Sequence, residues 1–349
     1  MPTPACTAAQ RLSASAFSIF DMVQIGTISD RSWMAGSANA AVVVSIRTSK
    51  PSALSQPRMI EAQRSGSCPG HPRAKMGPMT MQTSTTEAAG LVYDVSGDGP
   101  PLVLLHGLGS SSKSFAAVVP GLSEHFTTYA LDLPGHGRSP MPDDLDGDLA
   151  PGDLAAAVGR WMDEVGAARM HVAGNSMGGW VALEVAADRR ALSVVGLCPA
   201  GLWEPLRRRS PLMDINRSFA RITSPAIPVL SRSPLARAIG FRHTVERPEM
   251  LTPAITATAV RDLISAEAYD AAHDGMVNRS FDRSDEIPDD VPVVIAFGDH
   301  DRIIPAVAGR ERDHSPVHAR WITLQRCGHV PMWDVPDETI ELIRSTAGV

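Results

Sequence analysis

The sequence predicts an α/β fold: a mostly parallel central sheet with helices on both faces and a helical insertion late in the chain. Three observations predict it. Short apolar runs ending in turn residues alternate with segments of helical periodicity. The runs are apolar throughout, as in strands buried on both faces. Between residues 201 and 286 the alternation stops and only helix-compatible sequence remains.

The strand runs are "PLVLLHG" (101–107), "TTYALDLPG" (127–135), "RMHVAGNS" (169–176), "SVVGLCPA" (193–200), "VPVVIAFGD" (291–299) and "ARWITLQ" (319–325). Helical periodicity marks "GDLAAAVGRWMDEVG", "MGGWVALEVAADRR" and "PDETIELIRSTAG". Such alternation implies parallel strands joined by crossovers, with helices covering both sheet faces. Residues 201–286 read as a helical cap, inserted where it covers ligand sites at the carboxyl ends of strands. The expected organisation is a core of residues 79–200 and 287–349 with the cap between them. In the cap, Trp203, Leu206, Phe219, Ile222, Ile227 and Leu230 are candidates for an apolar pocket lining.

Residues 1–78 differ in character, being rich in Ser, Ala, Arg and Pro with little periodicity. They hold 8 Lys and Arg against 3 Asp and Glu, net +5, whereas the other 271 residues hold 24 against 35, net −11. The expectation is a disordered or misassigned extension, with Met76, Met79 or Met81 as the translation start. An export signal fits poorly, because the apolar stretch "AFSIFDMVQIG" is broken by Asp21.

Composition narrows the function. With 349 residues and 44% hydrophobic content, the chain supports one large core. A net charge of −6 argues against nucleic-acid binding, which calls for a basic excess. No apolar run reaches the roughly 18 residues of a membrane-spanning helix. Cys6, Cys68, Cys198 and Cys327 are scattered, and HExxH, a strand-following GxGxxG and a phosphate-loop ending are absent. The expected protein is cytoplasmic and acts on a small molecule, with no metal, no cofactor, and no nucleic-acid or membrane partner.

Within "VAGNSMGGW" (172–180), Gly174, Ser176 and Gly178 satisfy GxSxG. A strand runs into the serine and a helix runs out of it, which is the context of a nucleophile elbow. The strained turn requires small residues two before and two after the serine, and both are glycine. A serine hydroxyl needs a general base, itself oriented by a third group. His329 follows the last strand in "CGHVPMWDVP", and Asp299 and Asp301 follow another in "FGDHDRIIP". Either carboxylate can orient an imidazole. The oxyanion of an acyl-transfer intermediate needs fixed N–H donors, and the amide of Met177, directly after the serine, is one natural source.

With "HGLG", "DLPGHGRS", "GNSMGG", "GDHDRIIP" and "GHVPMW" in this order, the chain from about Leu91 to Val349 resembles the capped α/β-hydrolase fold family. The order Ser, acid, His matches that family. The resemblance implies Ser176 as nucleophile, His329 as general base and Asp301 as the acid, three residues after Gly298 and four before Pro305. It also implies the Leu108 amide as second oxyanion donor. His106 and His136 are then loop-shaping residues, Asp299 a loop-capping carboxylate and His300 a solvent-facing residue. The implied activity is hydrolysis of a small-molecule carboxylic ester. An alternative is carbon–carbon bond hydrolysis of aromatic ring-fission products, of which the asparagine in "GNSMGG" is reminiscent. Arg207, Arg208, Arg209, Arg217 and Arg221 are candidates for a substrate carboxylate, or for a solvated helix face. The dehalogenase and epoxide hydrolase branches use an aspartate nucleophile, where this elbow has Ser176. From another class comes a non-catalytic ligand-binding protein on the same fold.

Overall fold

The computed structural model describes residues 83–143, 147–204, 211–306 and 309–349. The first 78 residues, Leu206 and Arg207 to Arg209 therefore lie outside the described residues.

Eight strands form one mixed sheet: β1 (Ser84–Ala88), β2 (Leu91–Ser96), β3 (Pro101–Leu105), β4 (Thr127–Leu131), β5 (Met170–Asn175), β6 (Ala191–Leu197), β7 (Val293–Gly298) and β8 (Arg320–Leu324). Their order across the sheet is β1-β2-β4-β3-β5-β6-β7-β8. The pairs from β4 to β8 are all parallel, and β1 and β2 make an antiparallel hairpin on the β4 edge. All six sequence-predicted strands are present, with ends trimmed where the turn residues begin.

Side chains alternate across the sheet, so each strand feeds two cores. Val103 and Leu105 of β3 join one buried cluster with Trp161, Val172, Leu183 and Ile295. Leu102 and Leu104 point the other way, into a cluster with Phe115, Phe126, Ala173 and Val294. This is why the strand runs read as continuously apolar.

Helices fill both faces. In chain order they are α1 (Val119–Leu122), α2 (Pro151–Glu164), α3 (Met177–Ala187), α4 (Pro211–Thr223), α5 (Ile227–Leu230), α6 (Pro234–Phe241), α7 (Pro253–Ser265), α8 (Tyr269–Val277), α9 (Pro331–Asp334) and α10 (Pro336–Ala347). Proline at the first turn of α2, α6, α7 and α10 starts each helix where an N–H would have no partner. Helices α4 to α8 lie between β6 and β7 in sequence, and no strand occurs among the described residues there.

The insertion departs from expectation in its orientation. Phe219, Ile222 and Leu230 are 57%, 78% and 37% exposed and line no enclosed pocket. On α4 the inward face belongs to Arg217, which is buried and ion-paired to Asp270 at 2.8 Å. Arg217 is thus no part of a solvated face. Trp203 packs edge-on against Trp180 with ring centroids 6.0 Å apart, and Ile227 is only half-buried.

Candidate functional site

The parallel strands end on one edge of the sheet, and their registers place the following loops side by side. Leu105 pairs with Gly174, Asn175 with Leu197, Leu197 with Ala296 and Gly298 with Leu324. The residues after those positions are His106 to Leu108, Ser176, Cys198, Asp299 to Asp301 and, beyond a short turn, His329.

Ser176 sits between β5 and α3 with φ 55° and ψ −117°, in the left-handed region that side chains disfavour. The turn is fixed by its own backbone. Ser176 N–H donates to the Leu197 carbonyl at 3.0 Å, and its carbonyl accepts from Gly179, Trp180 and Ala200. The flanking glycines are required by close approach. A Cβ on Gly174 would lie 2.0 Å from the Gly178 carbonyl oxygen, and one on Gly178 would lie 2.1 Å from the Leu105 oxygen.

His329 and Asp301 meet on the same edge. His329 Nδ1 lies 2.9 Å from Asp301 Oδ2, and both side chains are buried. The other oxygen, Oδ1, accepts the N–H groups of Ile303 and Ile304 at 2.9 and 3.0 Å. Burial pushes the Asp301 carboxyl up, but the charge and hydrogen bond of His329 and these two N–H donors outweigh it and hold the group below its ordinary value. An ionised Asp301 takes the Nδ1 proton of His329 in a hydrogen bond and leaves Nε2 as the acceptor.

Asp299 does different work. Its Oδ1 accepts from the Cys327 N–H at 3.0 Å and faces His300, tying the end of β7 to the histidine loop. His300 is 45% exposed.

The loop after β3 abuts the serine. A Cβ on Gly107 would stand 3.2 Å from Ser176 Cβ. His106 shapes this loop: it is fully buried, Nδ1 bonds the Gly107 carbonyl at 2.8 Å, and Nε2 accepts from Leu133 N–H at 3.0 Å. The Nε2 bond fixes the tautomer, and burial lowers the ring's basicity. His136 is likewise buried, with Nδ1 on the Pro134 carbonyl; burial, helped by nearby His106, lowers its pKa to about 3. Neither the Leu108 nor the Met177 N–H is committed to another hydrogen bond among the described residues.

Several residues that hold the site carry no signal of that role in the sequence. Asn175 Nδ2 donates to the carbonyls of Leu197 and His329, both at 2.9 Å, joining the elbow to the histidine loop. That structural duty accounts for the asparagine in "GNSMGG". The His329 N–H donates to the Thr244 carbonyl of the insertion at 2.8 Å. Asp334 accepts from Gly328 and Glu246 N–H groups, clamping the same loop to the insertion. A second anchor lies at the β3 loop, where Ser111 Oγ donates to Asp262 of α7.

Cys198, with φ 48°, is buried beside the pair. Among the described residues, its Sγ, an Asp301 oxygen and a His329 nitrogen form the one group of ligand-type atoms within 4.8 Å of one another. These are the residues that could hold a soft metal ion. Two of the three are engaged with each other, and burial pushes the thiol well above its ordinary value.

Comparison with known proteins accords with this arrangement. A family model described as the alpha/beta hydrolase family matches residues 102–342. The chain is 31% identical over 207 residues to Epoxide hydrolase EphH of Mycobacterium tuberculosis, covering 55% of this chain and 92% of that protein. It is 26% identical over 262 residues to a pimeloyl-(acyl-carrier protein) methyl ester esterase of Aeromonas hydrophila, covering 72% and 97%. Among solved structures, a 2-hydroxy-6-oxo-6-phenylhexa-2,4-dienoate hydrolase from Rhodococcus sp. strain RHA1 superposes with a TM-score of 0.60 at 23% identity, covering 77% of this chain and all of that one. The last likeness concerns the fold alone. With its sheet order, its strained serine after β5 and a family match spanning most of the described fold, the chain belongs to the alpha/beta hydrolase family.

Proposed function

We propose that this alpha/beta hydrolase is a serine hydrolase of small-molecule carboxylic esters, with Ser176 as nucleophile, His329 as general base and Asp301 as its orienting acid. The observation that carries the reading is the buried 2.9 Å contact of His329 Nδ1 with Asp301, on the sheet edge where Ser176 stands in a strained turn. Asp301 holds the imidazole in the tautomer whose Nε2 accepts a proton. Ser176 Oγ loses its proton to that nitrogen as it attacks the ester carbonyl, and the alkoxide leaves with the proton His329 returns. Water then repeats the sequence on the acyl-enzyme. The amides of Met177 and Leu108 stabilise the oxyanion.

The epoxide hydrolase named among the relatives suggests another reaction, but opening an epoxide in this family uses a carboxylate nucleophile, where this chain has Ser176. Carbon–carbon bond hydrolysis loses the residue that suggested it, since Asn175 is spent on two backbone carbonyls. A purely binding protein has no need of the Asp301–His329 pair.

The test is to treat the protein with a fluorophosphonate, read intact mass, and assay a series of p-nitrophenyl esters, with Ser176→Ala alongside. One adduct and ester turnover are expected in the wild type, and neither in the variant. Labelling at a residue other than Ser176, or turnover that survives Ser176→Ala, would overturn the assignment.

A further inference from the structure

The inserted helices are turned inside out for a layer facing water. Of ten large apolar side chains exposed among the described residues, seven fall between Phe219 and Met250. Ile222 of α4 is 78% exposed, Val229 of α5 71%, and Leu235 and Ile239 of α6 70% and 62%. Beneath them Arg217 and Arg237 are buried. Arg237 donates to the carbonyls of Ser231 and Glu249, both at 2.8 Å, and Arg217 to Asp270 and the Ala266 carbonyl. At about 100° per residue, Phe219 and Ile222 stand about 140–160° round α4 from Arg217, and Leu235 and Ile239 about 160° round α6 from Arg237. In both helices the arginine faces inward and the apolar residues face out. Single exposed apolar residues are ordinary, but such a concentration marks an interaction surface.

Charge identifies the partner. Between Phe219 and Met250 the sequence has five arginines, Arg221, Arg232, Arg237, Arg242 and Arg247, against two acidic residues, Glu246 and Glu249, within a chain of net charge −6. Arg221 and Arg232 are exposed among the apolar side chains.

We propose that this face of the insertion docks on an anionic lipid surface, with its apolar side chains in the boundary between headgroups and acyl chains and its arginines on lipid phosphates. Exposed apolar residues with a basic excess around them are what an interfacial segment requires. A second copy of the chain would bring two like-charged faces together. No helix among the described residues is long and apolar enough to cross a membrane, so the attachment lies on the bilayer. The expectation of no membrane partner rested on the lack of a spanning run, which does not bear on a face that lies flat.

The test is flotation of the full chain with large unilamellar vesicles of phosphatidylcholine alone or mixed with phosphatidylglycerol, at low and high salt. Partition onto the anionic vesicles is expected to exceed that onto the neutral ones at least about tenfold and to fall with salt. Leu235→Ser with Ile239→Ser, two surface changes whose folding is checked by thermal unfolding, is expected to lose at least about tenfold in partition. Arg221→Gln with Arg232→Gln should remove much of the salt-sensitive part. Ser176→Ala should float like the wild type, so failure of the esterase reading leaves this test intact. Binding undiminished in the Leu235→Ser, Ile239→Ser double variant, or no binding to either vesicle, would overturn the proposal. So would a dimer that Leu235→Ser with Ile239→Ser dissolves, or capture by an acidic protein in place of lipid.

Discussion

Asp301 divides its two oxygens between the Ile303 and Ile304 N–H groups and the His329 ring, whereas Asp299 spends Oδ1 on the Cys327 N–H. Substitution should separate these duties. Asp301→Asn keeps the shape but turns an amide toward Nδ1 and favours the wrong tautomer, so kcat should fall about 10³–10⁴-fold with KM changed far less. Asp299→Asn should cost no more than about tenfold, the scale of one hydrogen bond. Steady-state kinetics on one ester decides between them, and the reverse order would make Asp299 the acid. Asn175 gives a second residue-level test. Asn175→Ala strips the donor from two buried carbonyls, a loss of about 1–3 kcal/mol in urea unfolding. It also frees the His329 loop, so fluorophosphonate labelling of Ser176 should slow while the nucleophile itself is intact. Unchanged labelling with lowered stability would confine Asn175 to a structural role.

Between elements, the loop after β4 is held by an ion pair between buried Asp132 and the solvent-exposed Arg138. Asp132 accepts from Ser112 N–H at 2.7 Å and from Arg138 Nε at 2.6 Å, and Arg138 reaches on to Asp94 of β2. Burial pushes the Asp132 carboxyl up, yet the Arg138 and Ser112 hydrogen bonds outweigh it and leave the group below its ordinary value. A depressed carboxyl contributes stability that is present above the unfolded value of about 4 and is lost as pH falls toward the folded one. Asp132→Asn should therefore cost about 1–3 kcal/mol at neutral pH, the order of charged hydrogen bonds lost by one buried acceptor, with the gap to wild type closing below about pH 4. Urea midpoints across pH measure it, and a gap constant in pH would mean that the charge contributes nothing. The elbow was legible because strand, serine, flanking glycines and helix are consecutive. The choice between Asp299 and Asp301 was not legible from residue type, since it depends on which carboxylate the loop turns inward. Asn175 was equally opaque, for its partners Leu197 and His329 lie 22 and 154 residues away. Helix-compatible sequence in the insertion did not show that Arg217 takes the inner face of α4, and so Phe219 and Ile222 stood as candidates for a pocket they do not line.

For the molecule as a whole, the sheet separates what stabilises the fold from what does the chemistry. The carboxyl ends of β3 and of β5 to β8 carry the site, while the antiparallel edge at β2 and β4 is held by an aromatic cluster. Trp161 of α2 is fully buried there, edge-on to Tyr93 and Tyr129 with centroids 5.2 and 5.4 Å away. Its indole N–H has no hydrogen-bond partner among the described residues. The site thus combines a large gain from apolar burial with an unmet donor, and the two separate on substitution. Trp161→Ala should cost about 3–5 kcal/mol by leaving a cavity. Trp161→Phe also leaves a gap, but it removes a buried donor whose lack of a partner costs about 1–3 kcal/mol. Its net effect should stay within about 2 kcal/mol of wild type. Well below the unfolding temperature, both variants should label with fluorophosphonate at the wild-type rate, because the ring partners of Trp161 are Tyr93 of β2 and Tyr129 of β4, and neither strand adjoins β5 in the sheet. If phenylalanine proved as costly as alanine, the indole N–H would have to be satisfied in solution by a buried water, and the edge of the sheet would owe its stability to that bond as well as to packing.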